Sequence, residues 1–246
     1  MIRKIQVKNK SKLILKRIKK LIPLKISESF LKNIFLEIVL ILIKKFILNS
    51  RVEPENKTNQ IFKDLCAKKV NPSVLEIGTK RSIIDRPTMH KDWVPHAKEY
   101  LGCDIENGID VDIVCDVHKL SETLGVESFD VIITCSGFEH FKYPHLAAHE
   151  IMKVLSINGV LFIQTHQSFP IHAYPYDYFR FSKQALEGLF GAKMGVEIIE
   201  SSYEFPCSIV SSADKFGALH EAYLNSCIVV KKISKTPDKY IYELDH

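Results

Sequence analysis

Five side chains between residues 140 and 180, His140, His166, His172, Asp177 and Arg180, are of the types that take up a proton or hold an anion. A hydroxyl acceptor has a high pKa, so its reaction gains from a general base beside it. His166 and His140 are the leading candidates for that work, with Arg180 as an acceptor contact. Residues 165–182, THQSFPIHAYPYDYFRFS, crowd histidines and aromatics together. Tyr174, Tyr176, Tyr178, Phe179 and Phe181 read as a cap packed over a sheet edge, with His166 and Arg180 pointing past them at a substrate. By ligand type His140, His166 and His172 suit zinc. They show no HxH or HExxH spacing, however, and no metal is expected.

A second set of residues suits a nucleotide-like ligand. Glu76 ends the run VLE just before Gly78, Asp104 falls near the end of YLGCDI, 28 residues after Glu76, and Asp116 follows the short run DIVC. A carboxylate at the end of a second strand accepts hydrogen bonds from ribose hydroxyls in nucleotide folds.

Both sets converge only if the runs that carry them are strands of one sheet. From residue 72 onward β-rich runs alternate with helical ones, the pattern of a doubly wound, mostly parallel α/β sheet. The expected strands are Val74–Ile77, Tyr100–Asp104, Asp112–Cys115, Phe129–Thr134, Val160–Thr165, Val196–Tyr203 and Cys227–Lys232. Helices are expected over Ile61–Lys68, His145–Leu155 and Lys183–Phe190. In such a sheet ligands bind outside the carboxyl ends of the strands, which is where the acids and histidines fall.

The segment VLEIGTKRS (74–82) resembles the first strand and turn of class I S-adenosylmethionine-dependent methyltransferases. FDVIITCSGFEHF (129–141), followed by HLAAHEIMKVL, Asn158-Gly159 and VLFIQTH, resembles the type 11 group of that family. The resemblance spans residues 72–232. It implies a seven-stranded Rossmann-like sheet and S-adenosylmethionine as cofactor. It places Glu76, Gly78, Thr79, Asp104, Ile105, Asp116, Val117, Ser136 and Glu139 at that cofactor, with Asp116 on the adenine amino group. Lys80 and Ser82 stand where the family has later glycines, and Pro87 and Pro95 weaken the helix that usually follows. Residues 165–182 are similar to runs in methyltransferases of glycan biosynthesis, which implies methylation, at oxygen, of a small-molecule or glycan-linked acceptor. A non-catalytic binding or scaffold protein on the same fold is the alternative that Lys80 and Ser82 keep open. A dinucleotide oxidoreductase is disfavoured, because no GxGxxG turn is present.

The composition, 46% hydrophobic and 26% charged over 246 residues, fits one globular domain with an extension. Residues 1–50 carry thirteen Lys or Arg and two acids, a net +11 against −6 for the remainder. Apolar positions 14, 15, 18, 21 and 22 recur at helical spacing opposite lysines, and a second apolar stretch runs over 30–48. Its longest uninterrupted apolar run, Ile38–Ile43, is too short to span a bilayer. Two surface helices on an anionic membrane are expected over residues 1–48, or else packing of the second on the body or another subunit. The interleaved Ile and Leu make nucleic acid an unlikely partner. Asn49–Gln60 reads as a linker, and the domains divide as 1–50, 51–71, 72–233 and 234–246. Six cysteines without CxxC spacing are expected to be buried thiols of a cytoplasmic protein, peripheral at most to the inner membrane face.

Overall fold

A computed structural model of the chain describes residues 57–209 and 220–242, with helical positions 34, 35, 37–39 and 42 before them. The expected helix over 11–22 and the linker residues 49–56 lie outside the described residues. The chain divides into two units, residues 1–53 and 54–246. In the first, Ile34, Ile38 and Leu42 are helical, fall at i, i+4 and i+8, and are exposed. Among the described residues no helix is long and apolar enough to cross a membrane.

The second unit is built on one seven-stranded sheet. Its strands are β1 Ser73–Ile77, β2 Glu99–Asp104, β3 Ile113–Val114, β4 Phe129–Cys135, β5 Leu155–His166, β6 Val196–Ile209 and β7 His220–Lys232. They lie in the order β3-β2-β1-β4-β5-β7-β6. β1 to β5 are parallel, and β7 runs antiparallel to both of its neighbours. This is the seven-stranded Rossmann-like methyltransferase sheet that the sequence led us to expect.

The central strands read as continuous apolar runs because they are buried on both faces. Every residue of β1 is buried, so its side chains alternate between two cores. On one face helix α1, Lys57–Ala67, brings Phe62 against Phe162 at 5.2 Å, and Trp93 meets the same ring at 5.4 Å. On the other, α2 (Leu120–Leu124), α3 (Pro144–Val154) and α4 (Lys183–Glu187) cover Leu75, Ile132 and Leu161.

Four boundaries differ from those read in the sequence. α1 starts at Lys57, inside the expected linker, because the Thr58 hydroxyl pairs with that of Ser202 at 2.6 Å and Lys57 pairs with Glu200 on β6. α4 stops at Glu187 rather than Phe190, and Leu189 and Phe190 stay buried in turns beyond Gly188. β5 begins at Leu155, with Asn158 at φ 66° carrying the bend that NG suggested and the register shifting between Phe129 and Val131. The β6–β7 pair runs on past the sheet as a two-stranded ribbon, with Ser208 opposite Glu221. As the prolines implied, β1 leads into β2 without an α-helix, through irregular chain and one 3-10 turn at Lys91–Trp93. That stretch is tied down by Arg81, which donates twice to Asp110 at 2.7 and 2.9 Å.

Candidate active site

The turns that follow β1 to β4 build one half of the site. Gly78 sits at φ +82°, a conformation glycine adopts without cost, and a methyl carbon placed on it would lie 3.9 Å from Gly137 Cα. Gly137 is needed for space, since a Cβ there would fall 2.7 Å from the Thr134 hydroxyl. Two bare backbones therefore face each other across the β1–β4 seam. Asp104 at the end of β2 accepts the Lys80 N–H and the Glu106 N–H, each at 3.1 Å, one on each carboxylate oxygen. Lys80 lays its aliphatic chain against Gly108 and pairs its ammonium with Glu106, so the first and second turns are joined above Asp104.

Asp116 takes both His118 bonds, from the backbone N–H at 2.9 Å and from Nδ1 at 2.7 Å, on Oδ1 alone. Among the described residues Oδ2 has no partner. Val117 opens a 3-10 turn, so its N–H has no partner within that turn. Ile105, 67% exposed, offers an apolar platform beside them. Ser136, at φ 55°, lies exposed on the β4 turn.

Two residues expected at the cofactor turn inward instead. The Glu76 carboxylate is buried against the Trp93 face, accepting the His90 N–H at 2.8 Å, His90 Nδ1 at 2.5 Å and the Tyr100 hydroxyl at 2.5 Å. Burial, and then the adjacent Glu76, push the Tyr100 phenol well above its usual range, so it stays a donor. Thr79 is buried and aims its hydroxyl at the Cys103 carbonyl. Both therefore set the shape of the turn and leave only backbone to a ligand.

The other half of the site comes from the turns after β4 and β5. Glu139 is fully buried; its Oε2 accepts the Thr165 hydroxyl at 2.6 Å, and its Oε1 has no hydrogen-bond partner. Three imidazoles converge on that oxygen, with Nε2 of His166 at 3.1 Å, of His140 at 3.9 Å and of His172 at 4.0 Å. His166 ends β5, stacks flat on Phe169 at 4.0 Å and rests its Nδ1 on the Asn225 side-chain oxygen at 3.1 Å. Burial lowers the His166 pKa, against the opposing pull of Glu139 and the Asn225 hydrogen bond.

Arg180 is engaged within its own loop. Its guanidinium grips Asp177 at 2.6 and 2.8 Å and donates to the carbonyls of Phe169, Pro170 and Phe179, bracing its own loop. That grip holds the Asp177 carboxyl well below the usual carboxylate range. The aromatic cap is also smaller than expected. Phe181 is buried against Phe138, whereas Tyr174, Tyr176 and Tyr178 stand in solvent. Asn225 went unseen in the sequence because it lies 59 residues from His166, and the pairing of β5 with β7 is what sets the two opposite each other.

Comparison with known proteins agrees with this architecture. Residues 89–163 match the family model described as a methyltransferase domain. No curated protein matches the sequence. Among solved structures, a proposed methyltransferase from Bacillus halodurans C-125 superposes with a TM-score of 0.53 at 13% identity, over 73% of this chain and 100% of that one. A SAM-dependent methyltransferase from Archaeoglobus fulgidus gives 0.50 at 14% identity, over 72% and 97%. Such distant structural likeness speaks for the fold alone, and the matched domain adds the class. Residues 89–163 thus carry a methyltransferase domain on the matching fold, and S-adenosylmethionine is the implied methyl donor. The residues present fit that group. Two carboxylates with oxygen lone pairs to spare, an exposed isoleucine next to Asp104 in the chain and a side-chain-free seam at Gly78 and Gly137 suit ribose, adenine and methionine.

Proposed function

We propose that the protein methylates a hydroxyl oxygen of a small-molecule or glycan-linked acceptor, with His166 taking the hydroxyl proton. When bound, S-adenosylmethionine supplies an electrophilic methyl group on sulfur. Asp104 and Asp116 orient the nucleoside, Gly78 and Gly137 admit the methionine end, and His166 accepts the proton as the acceptor oxygen bonds to carbon. The observation that carries this reading is the meeting of the bare β1–β4 seam with a buried carboxylate ringed by imidazoles at the same sheet edge. Tyr174, Tyr176 and Tyr178 are 88, 59 and 40% exposed, and their flat rings suit stacking against the apolar faces of a sugar. A transfer assay with labelled methyl donor against glycosides, amines and thiols tests the acceptor. Label reaching only nitrogen or sulfur would reject the oxygen assignment.

Asp104→Ala should weaken S-adenosylmethionine binding by about tenfold or more, since a hydrogen bond to a charged group is worth roughly 1.5–3 kcal/mol. Calorimetry on the folded variant is the measurement. Unchanged affinity would remove Asp104 from the site, and no affinity in the parent protein would leave a scaffold.

We also propose that residues 1–48 rest on an anionic membrane surface. The excess of lysines there supports it, as does the exposed stripe of Ile34, Ile38 and Leu42. Deleting residues 1–50 should abolish cosedimentation with phosphatidylserine vesicles. If the shortened chain still sediments with them, the contact lies elsewhere.

A further inference from the structure

We propose that Glu139, His140 and His172 hold a divalent transition-metal ion of the zinc type. Among the described residues these three place one ligand atom each within 4.8 Å of one another. Glu139 Oε1 lies 3.9 Å from His140 Nε2 and 4.0 Å from His172 Nε2. Ligands about 2.0–2.1 Å from a tetrahedral zinc stand roughly 3.3–3.5 Å apart, so sub-ångström shifts of two loop side chains close the set.

The hydrogen bonding around the cluster points the same way. His140 Nδ1 lies 2.8 Å from the Tyr176 carbonyl and His172 Nδ1 lies 3.1 Å from that of Pro170. A carbonyl only accepts, so in each ring Nδ1 carries the hydrogen and Nε2 of the neutral imidazole presents a lone pair. Metal-ligating histidines are oriented in this way, by a carbonyl or carboxylate on the far nitrogen. The third member, Glu139, has its Oε2 occupied by Thr165, while Oε1 is buried with no donor. A buried, unpartnered carboxylate oxygen costs free energy that the fold must recover elsewhere. A cation held by these three ligand atoms would give the buried oxygen the partner it lacks.

The loop braces explain the rest of the motif. Asp177 accepts the His172 backbone N–H at 3.0 Å and stands 3.4 Å from His172 Nδ1, and Arg180 fixes Asp177. Arg180 and Asp177 are thus positioning residues for His172. His166 is not a member of the set and is kept as the proton acceptor, with its Nε2 3.1 Å from the same Glu139 oxygen. Two nitrogens and one carboxylate oxygen favour zinc, cobalt or nickel over magnesium and calcium, which take oxygen ligands. Binding of the ion does not depend on methyl transfer. An ion here that also lowers the pKa of a bound acceptor hydroxyl would rest on that reading.

The test uses the full chain, free of affinity histidines and stripped with a chelator. Titration with Co(II) should give one equivalent per chain with visible ligand-field bands that Zn(II) abolishes, while excess Mg(II) and Ca(II) leave the bands intact. His140→Ala and His172→Ala should each weaken Zn(II) by at least roughly tenfold, the scale on which even outer partners of metal ligands act. Both lie in loops, so unchanged circular dichroism is expected, whereas the buried Glu139 is not the decisive variant. His145→Ala, at an exposed position of α3, should leave zinc affinity unchanged. Absence of stoichiometric Co(II) binding, equal affinity in both histidine variants, or displacement by Mg(II) would each overturn the site. S-adenosylmethionine binding by the same preparations keeps the readings apart. Zinc held by a chain that ignores the cofactor sinks methyl transfer alone, and the converse sinks the metal site alone.

Discussion

His166→Ala is expected to lower turnover by roughly 10²–10⁴, the span that a positioned general base contributes. The ring is held by stacking on Phe169 and by Asn225, so it loses no orientational freedom when an acceptor arrives. Alanine removes the proton acceptor without touching the turns after β1, β2 and β3, and cofactor affinity should change by less than about twofold. The expected signature is a fall in the single-turnover rate at saturating S-adenosylmethionine with binding intact, which marks an interaction made in the transition state. Asn225→Ala should give a smaller fall, since it leaves the base present but free to turn. If His166→Ala turns over normally, the base must be sought at His140 or Glu139.

Lys232→Ala should destabilise the domain by about 2–4 kcal/mol. Its side chain is 1% exposed, and its ammonium donates to the carbonyls of Met152 at 2.9 Å and Leu155 at 2.7 Å, with Glu127 at 3.3 Å. Those carbonyls close α3, where backbone acceptors lack helical partners and the helix dipole favours a cation. Thr236 still serves Met152 after the substitution, but the Leu155 carbonyl does not gain a donor. For a domain of this size the loss corresponds to a fall in melting temperature of roughly 5–15 °C. Lys232→Met keeps the packing and should fall in the same direction. A change below about 0.5 kcal/mol in both would show that water replaces the ammonium.

The sheet was legible in the sequence because buried parallel strands leave uninterrupted apolar runs such as VIIT and VLFI, whose order admits few topologies. The placement of Asp104 and Asp116 was legible for a related reason: they end or follow such runs, and strand ends share one edge. The ribbon beyond Tyr203 was not legible, because Glu204, Pro206 and Ser208 break any apolar run there and backbone pairing with Asn225, Tyr223 and Glu221 holds it. Glu76 illustrates a different limit. Its place at the end of β1 is evident, but which way its carboxylate turns depends on His90 and Tyr100, 14 and 24 residues away. The histidine cluster escaped a search for short metal spacings because its members lie on two loops and meet only across the edge of the sheet.

The two halves of the site draw on different stretches of chain. The groups suited to the cofactor come from turns spread over residues 78–137, knitted to one another through Asp104, Lys80 and Glu106. The exposed tyrosines and the loop that carries His172 lie in the single stretch 165–182, braced by Arg180 and Asp177 within itself. Such a loop can be rewritten as a cassette. Under the proposed function, a change of acceptor preference would fall mainly on this one segment, while the turns after β1, β2 and β3 stay as they are.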